Sequence, residues 1–239
     1  MCVAKVSGTK EPIGRAPDHP WVTMIGIFRH GSDEPPGFLE EVLEASGRPF
    51  RVFDLWEDGA VPYRQLSHLI VLGGEMSVND EAGYPFLAEE KRIIREMIAA
   101  SRPVLGICLG AQMIASACGA RVFRCEKEVG WRPVRWTETL PGVPRETVVF
   151  QWHDESFDLP PGARLICRGE RVENQGFIMG SALGVQFHIE VTRAMVRAWT
   201  TGRDGIAADT GRYIRESNRL CRCIAEHFIG GGKWPSKPS

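Results

Sequence analysis

The sequence predicts an α/β fold in which parallel strands are joined by crossover helices. Over the first half of the chain, short apolar β-prone runs alternate with segments that repeat apolar residues at helical spacing. From about residue 121 the pattern changes to strand-like segments with few helices between them. The alternation in the first half is typical of a parallel sheet, because each helix must return the chain to the edge where the next strand starts.

Each element is predicted from its own local pattern. The run WVTMIGIF at 21–28 is short and apolar, and the run at 68–72 ends abruptly at Gly73-Gly74. The predicted strands of the first half are 21–28, 51–55, 68–72 and 103–107, and the predicted helices are 38–45, 86–100 and 109–117. The later predicted strands are 121–124, 131–136, 147–152, 164–167, 175–179 and 184–188. Two helices close the chain, the last over 213–229, where three glycines stop it.

Composition excludes several classes of protein. The 239 residues include 29 Lys and Arg against 30 Asp and Glu, so there is no chain-wide basic field to hold a nucleic acid. The first twenty residues are charged and lack the apolar run of a signal peptide. The uncharged stretch 103–120 contains glycines, Gln112 and Ser116, so it fits a buried strand and helix better than a membrane span. We therefore expect a cytoplasmic protein without nucleic-acid or membrane partners.

The seven cysteines do not have the repeated spacing of a disulfide framework. Cys221 and Cys223 lie two apart on a predicted helix, where side chains diverge by about 200°. We therefore expect Cys221 to be buried and Cys223 to point away from it, and the pair does not have the spacing of a zinc motif. The sequence predicts no metal site and no cofactor.

The segment with the clearest chemistry is Gly106-Ile-Cys108-Leu-Gly110. It follows a predicted strand and opens a predicted helix, which is the context of a nucleophile elbow. The start of a helix carries a positive partial charge that favours the thiolate form of a cysteine. The motif alone is equally compatible with a buried cysteine between two packing glycines.

Two further segments carry candidate functional groups. The pair Gly73-Gly74 follows a strand and can turn a backbone N–H toward a reacting carbonyl oxygen, although a plain strand-ending turn has the same sequence. His188 and Glu190 lie two apart at a predicted strand end, so alternation places both side chains on one side. A carboxylate there can orient an imidazole and stabilise its charged form. The alternative is a half-buried histidine beside an exposed glutamate.

Together these three segments resemble the motifs of the class I glutamine amidotransferases, the triad glutaminases. The resemblance rests on residues 106–112, on Gln186-Phe187-His188-x-Glu190 and on Leu72-Gly73-Gly74, and it extends over about 21–191. Residues 127–131 and 150–153 resemble further segments of free-standing members that are similar to the glutaminase domain of GMP synthase. The resemblance implies a flavodoxin-like, doubly wound and mostly parallel sheet with helices on both faces and an additional antiparallel β element.

The resemblance also implies the role of each candidate residue. Cys108 is the expected nucleophile, His188 the acid and base, and Glu190 the group that orients His188. The backbone N–H groups of Gly74 and Leu109 are the expected oxyanion hole. Gln112 is expected to help bind the substrate, with a local structural hydrogen bond as the alternative.

One departure from the family pattern concerns the substrate or partner contacts. Many members carry His-Gly-Asp where this chain has His153-Asp154-Glu155, so the shape of that loop is in question.

The predicted organisation is an N-terminal extension at 1–20, a single amidotransferase-like domain at 21–229 and a flexible tail at 230–239.

Three functions remain open at this point. The chain is the glutaminase subunit of a two-chain amidotransferase that passes ammonia to a synthetase, a self-sufficient γ-glutamyl peptidase or hydrolase, or a non-catalytic binding module. The expected small-molecule partner is glutamine or another γ-glutamyl compound. The sequence has no Gly-x-x-x-x-Gly-Lys-Ser/Thr phosphate loop, so we do not expect ATP-driven chemistry in this chain.

Overall fold

The computed structural model describes residues 24–58, 60–231 and 234. The predicted extension at 1–20 and most of the predicted tail lie outside these residues, as does the start of the first predicted strand. The strands are β1 (Met24–Arg29), β2 (Phe50–Asp54), β3 (Leu66–Val71), β4 (Val104–Ile107), β5 (Val122–Trp136), β6 (Glu146–Phe157), β7 (Arg164–Gly169), β8 (Asn174–Met179) and β9 (Ala182–Val185). The helices are α1 (Phe38–Ser46), α2 (Phe86–Ala99), α3 (Leu109–Ala117), α4 (Arg193–Trp199) and α5 (Asp204–Ile229).

All these strands join one nine-stranded sheet in the order β2-β1-β3-β4-β9-β8-β7-β5-β6. The strands β2, β1, β3, β4 and β9 pair in parallel. The strands β8, β7, β5 and β6 continue the sheet by antiparallel pairing. The predicted α/β class, with its parallel sheet and antiparallel element, is confirmed, and the antiparallel strands extend the same sheet.

The parallel strands β1, β3, β4 and β9 are buried on both faces, whereas the edge strand β2 is partly exposed. Along β3, Leu69 and Val71 face one apolar cluster while Ile70 faces the other. Helices α1 and α5 cover the face of Ile70, and α2 and α3 cover the opposite face. This arrangement explains why these strands are continuous apolar runs, as is typical of a parallel sheet enclosed by crossover helices.

Several element boundaries differ from the sequence prediction. The predicted strands 121–124 and 131–136 are one long strand, β5, because an irregularity between Arg124 and Glu128 lets the pairing with β6 continue past them. The last strand ends at Val185 rather than at residue 188. Helix α5 begins at Asp204, nine residues before the predicted start at 213. Cys221 is buried, as expected, and Cys223 is partly exposed.

The antiparallel half of the sheet curls back over the parallel half. Phe150, in the middle of β6, forms an isolated bridge with His188, which lies beyond the end of β9. A third apolar cluster, which includes Trp131, Phe150, Met195 and Ile214, fills the space between β5, β6, α4 and α5. Within the described ranges, every helix is too short or too polar to cross a lipid bilayer.

Candidate active site

Cys108 occupies a strained turn between β4 and α3. Its backbone has φ 51° and ψ −107°, a conformation that residues with a Cβ atom rarely adopt. Its N–H donates to the Val185 carbonyl at 2.9 Å, which ties the turn to the end of β9. The side chain is only 6% exposed, and its Sγ atom lies 3.7 Å from the Trp152 carbonyl oxygen. The predicted strand–turn–helix context of the elbow is therefore present.

The glycines on either side of Cys108 are needed for close packing. A Cβ atom on Gly106 would lie 2.5 Å from the backbone of Gly110, and a Cβ atom on Gly110 would lie 2.1 Å from the Val71 carbonyl oxygen. Neither backbone neighbour can move aside as a flexible side chain would. The two glycines thus allow α3 to start directly against β3 and β4.

The Gly73-Gly74 pair follows β3 and lies beside the elbow. A Cβ atom on Gly73 would lie 3.0 Å from His188 Cε1, and one on Gly74 would lie 2.3 Å from the side chain of Leu109. Leu109 is the first residue of α3, where the backbone N–H has no partner within the helix. The two predicted oxyanion donors therefore belong to residues that pack against each other.

His188 and Glu190 form a buried pair in the segment after β9. Nδ1 of His188 and Oε1 of Glu190 are 2.7 Å apart, and the two residues are 3% and 2% exposed. The His188 N–H donates to the Phe150 carbonyl oxygen at 2.9 Å, so β6 holds this segment although β9 has ended. Burial alone lowers the pKa of His188, but the charges of Glu190 and Cys108 outweigh it and raise this pKa well above its usual value.

Gln112 lies on the first turns of α3 and is also buried. Its Nε2 atom donates to the Glu155 carbonyl at 3.1 Å and is 3.4 Å from Oε1 of Gln186. Nε2 of Gln186 is in turn 3.8 Å from Cys108 Sγ. Gln112 thus makes local hydrogen bonds, which was the alternative to a role in substrate binding. It also lines the cavity described below.

The segment His153-Asp154-Glu155 is part of β6 and not a loop. The chain is extended through position 154, and Glu155 pairs with Arg124 of β5. His153 turns inward, with Nε2 3.2 Å from Oε2 of Glu128. The expectation of a loop here was wrong. These three residues lie in the strand that borders the candidate site.

A cavity of about 720 Å³ opens above the elbow. It brings together Cys108, Gln112, His188 and Gly74 from the predicted set. Glu190 is not among the residues that line the cavity, and it contacts this set through Nδ1 of His188. Trp152 and Trp199 form part of the wall, with the Trp199 ring 5.1 Å from the ring of His188. Other tryptophans have a different place, since Trp131 and Trp136 are buried in the core.

Two residues of this region were not singled out from the sequence. Glu34 follows β1 and lines the cavity, and its Oε2 atom is buried without a hydrogen-bond partner among the described residues. Burial raises the pKa of Glu34 to about 7, although the charges of His188 and His30 act in the opposite direction. His30 is fully enclosed nearby and contacts Gly73. Both follow a parallel strand at its carboxyl end, where functional groups of such sheets gather, and this rule is the signal that could have found them.

Metal ligation has no structural support in the part of the chain that is described. No group of three or more His, Cys, Asp or Glu side chains there is placed to hold a metal ion. The six cysteines in these ranges are free thiols. The chemistry that the arrangement can support is that of a cysteine, a histidine–carboxylate pair and backbone N–H groups.

The fold and the site define an α/β protein with a cysteine elbow at the carboxyl edge of a parallel sheet. The family model described as "Glutamine amidotransferase class-I" matches residues 43–196. Among solved structures, a glutamine amidotransferase of Thermotoga maritima superposes with a TM-score of 0.81 at 32% identity, covering 88% of this chain and 99% of that one. A second, from Methylobacillus flagellatus, has a TM-score of 0.81 at 28% identity and covers 91% and 99%.

Curated relatives agree with this match. The glutamine amidotransferase-like protein YfeJ of Salmonella typhimurium is 28% identical over 210 residues, which are 82% of this chain and 86% of that protein. A glutamine-hydrolysing GMP synthase subunit of Thermococcus kodakarensis is 41% identical over 96 residues, 37% of this chain and 51% of that protein. The second alignment thus spans about half of the GMP synthase relative. The chain belongs to the class I glutamine amidotransferase family.

Proposed function

We propose that the protein hydrolyses the side-chain amide of glutamine, or of another γ-glutamyl compound, through a thioester on Cys108. The observation that carries this proposal is the convergence of three separate chain segments on one cavity. These segments are the elbow with Cys108, the glycine pair after β3, and the His188–Glu190 pair after β9. Nucleophile, base and base-orienting carboxylate are the parts that covalent amide hydrolysis needs.

In the first half of the reaction, the Cys108 thiolate attacks the amide carbon and a C–S bond forms. The electron pair of the carbonyl moves to oxygen, and the N–H groups of Gly74 and Leu109 stabilise the resulting oxyanion. When the tetrahedral intermediate collapses, the C–N bond breaks and His188 gives its proton to the leaving nitrogen. The raised pKa of His188 supports this step, because it keeps the imidazole protonated beside the thiolate.

In the second half, water enters the position that ammonia or an amine has left. His188 removes a proton from this water as it attacks the thioester carbon. The C–S bond then breaks, which releases glutamate and returns the Cys108 thiolate with a protonated His188. Glu190 acts throughout by holding Nδ1 of His188, so that Nε2 faces the reacting atoms.

The size of the cavity bears on the choice of substrate. A volume of about 720 Å³ lies in the range that accommodates ligands larger than a single amino acid. This favours keeping γ-glutamyl amines and peptides beside glutamine as candidate substrates. The GMP synthase relatives support the other arrangement, in which ammonia passes to a synthetase partner.

A substrate panel tests the proposal. Purified protein is assayed for release of glutamate from glutamine and from γ-glutamyl peptides, and for release of aspartate from asparagine as a negative control. We expect turnover of a γ-glutamyl compound that Cys108→Ala abolishes, while Cys167→Ala, which removes a buried thiol on β7, leaves it intact. An active Cys108→Ala variant, or a wild type that hydrolyses none of these compounds, would contradict the proposal. Efficient turnover of peptides by the chain alone would identify a self-sufficient hydrolase.

A further inference from the structure

A second histidine lies beside the glycine pair and has no part in the proposed steps. His30 follows β1 and is buried, with Nδ1 2.8 Å from the Gly73 carbonyl oxygen. Its Nε2 atom lies 3.1 Å and 3.0 Å from the two carboxylate oxygens of Glu90 on α2, which is 1% exposed. Both ring nitrogens therefore have partners that belong to other elements of the fold.

The chemistry of these partners defines the protonation of the ring. A backbone carbonyl and a carboxylate can only accept, so each ring nitrogen must supply a hydrogen. Burial lowers the pKa of His30, but the charge and hydrogen bond of Glu90 and the bond to Gly73 more than reverse this and raise it. His30 thus donates from Nδ1 to the Gly73 carbonyl, while Glu90 holds the ring through Nε2.

The contact with Gly73 also orients its neighbour. The carbonyl of Gly73 and the N–H of Gly74 belong to one planar trans peptide, in which the two bonds point in opposite directions. Fixing the carbonyl on the side of His30 therefore directs the Gly74 N–H to the other side. Glycine residues offer little resistance to rotation of such a peptide, so this hydrogen bond selects one of its orientations.

The packing shows that this peptide borders the reacting groups. Gly73 lies against the His188 ring, and Gly74 lies against both Leu109 and the Cβ atom of His30. Gly74 and Cys108 also line the same cavity. A rotation of the Gly73–Gly74 peptide would exchange the directions of the Gly74 N–H and the Gly73 carbonyl oxygen, and a carbonyl oxygen turned toward an oxyanion would repel it.

We propose that His30, itself held by Glu90, is a positioning residue that locks the Gly73–Gly74 peptide with the Gly74 N–H available to the oxyanion. This role rests on the proposed hydrolysis at Cys108 and deepens it. The pair would contribute to the transition state and little to binding of the ground state, because the oxyanion exists only during the reaction.

The test compares two reactions of Cys108 that differ in one respect. Amide hydrolysis forms an oxyanion, whereas alkylation of Cys108 by iodoacetamide displaces iodide at a saturated carbon and forms none. Both rates are measured in the wild type, His30→Ala, His30→Asn and the control His68→Ala. The Asn side chain places an amide N–H where Nδ1 of His30 lies, and His68 is a buried imidazole near the start of β3. Mass spectrometry of the Cys108 peptide separates its alkylation from that of other thiols.

We expect kcat for hydrolysis to fall on the order of 10- to 100-fold in His30→Ala, because small misplacements of catalytic groups have effects of this size. KM and the alkylation rate of Cys108 should change little, which also shows that the site is folded. His30→Asn should recover most of the loss, and His68→Ala should hydrolyse like the wild type.

Other outcomes distinguish a failure of the positioning role of His30 from a failure of the proposed hydrolysis at Cys108. If His30→Ala hydrolyses as fast as the wild type, or if alkylation falls in parallel with hydrolysis, the positioning role is wrong while the proposed function stands. If the wild type is alkylated at Cys108 but hydrolyses no γ-glutamyl amide, the proposed function fails and the role of His30 fails with it.

Discussion

Nδ1 of His188 and Oε1 of Glu190 are 2.7 Å apart, and the two residues are 3% and 2% exposed. The other carboxylate oxygen of Glu190 is buried without a hydrogen-bond partner among the described residues. A carboxylate in such surroundings keeps its charge only beside a compensating cation. His188 is the partner of Glu190 here, and the charge and hydrogen bond of Glu190 raise the pKa of His188.

We expect Glu190→Gln to lower kcat/KM for hydrolysis on the order of 10² to 10⁴-fold. It should also shift the alkaline limb of the pH–rate profile to lower pH. A base whose pKa is raised stays protonated to higher pH, so removing the carboxylate that raises the pKa of His188 lets the imidazole lose its proton earlier. The measurement is kcat/KM from pH 5 to pH 10. Glu138→Gln, a carboxylate paired with Arg164 outside the cavity, should leave the profile unchanged. An unshifted limb in Glu190→Gln would contradict this account of His188.

The strain at Cys108 predicts an unusual order of stability. With φ 51° and ψ −107°, a residue with a Cβ atom is disfavoured there and glycine is not. We expect Cys108→Gly to be more stable to urea than Cys108→Ala by about 1 to 3 kcal/mol. At the buried helical position Cys221 the order should reverse by about 1 kcal/mol, because glycine weakens a helix interior. The same order at both positions would contradict the strained elbow.

The close contact of Gly110 with Val71 predicts a sharp intolerance of one methyl group. Gly110→Ala would place Cβ 2.1 Å from a backbone oxygen of β3, so the strand and helix must separate. We expect a loss of about 3 kcal/mol or more in the free energy of unfolding. The matched control is Gly205→Ala in the first turn of α5, where a Cβ atom meets nothing within 4 Å. That variant should be as stable as the wild type or slightly more stable, as measured by urea denaturation.

Glu34 predicts a pH dependence of stability. Its pKa is raised from 4.5 to about 7, mainly by burial, so between these values the folded protein binds a proton that the unfolded chain has lost. Folding stability must then fall as the pH rises from about 4.5 to 7. We expect Glu34→Gln to stabilise the protein by on the order of 1 to 3 kcal/mol at pH 8 and by little at pH 5. Glu44→Gln, on the exposed side of α1, should show no such difference. Equal effects of Glu34→Gln at the two pH values would contradict the raised pKa of Glu34.

Much of the parallel half of the fold could be predicted from local patterns. Strand β4 and helix α3 are found where the sequence placed them, because the apolar run and its flanking glycines report burial directly. The antiparallel half was less predictable. The continuity of β5 depends on how it pairs with β6, and that pairing joins residues such as Arg124 and Glu155 that are distant in sequence.

The candidate site shows the same division. Cys108, His188 and Glu190 lie in short motifs whose spacing implies their geometry. Glu34 and His30 do not, since their environments depend on groups from α2 and from the turn after β3. His188 and Glu190 do meet, but they lie in a bent segment beyond the end of β9, which β6 supports through Phe150.

The proposed reaction requires that Cys108 becomes acylated during turnover, and the acyl-enzyme can be trapped. Protein mixed with a turned-over γ-glutamyl substrate is quenched in acid within the steady state, digested and examined by mass spectrometry. We expect a γ-glutamyl group on Cys108 that hydroxylamine releases, as is typical of a thioester, and that is absent from Cys108→Ala. Turnover that leaves the γ-glutamyl group on another residue would contradict the thioester on Cys108. Continued hydrolysis by Cys108→Ala would contradict it as well.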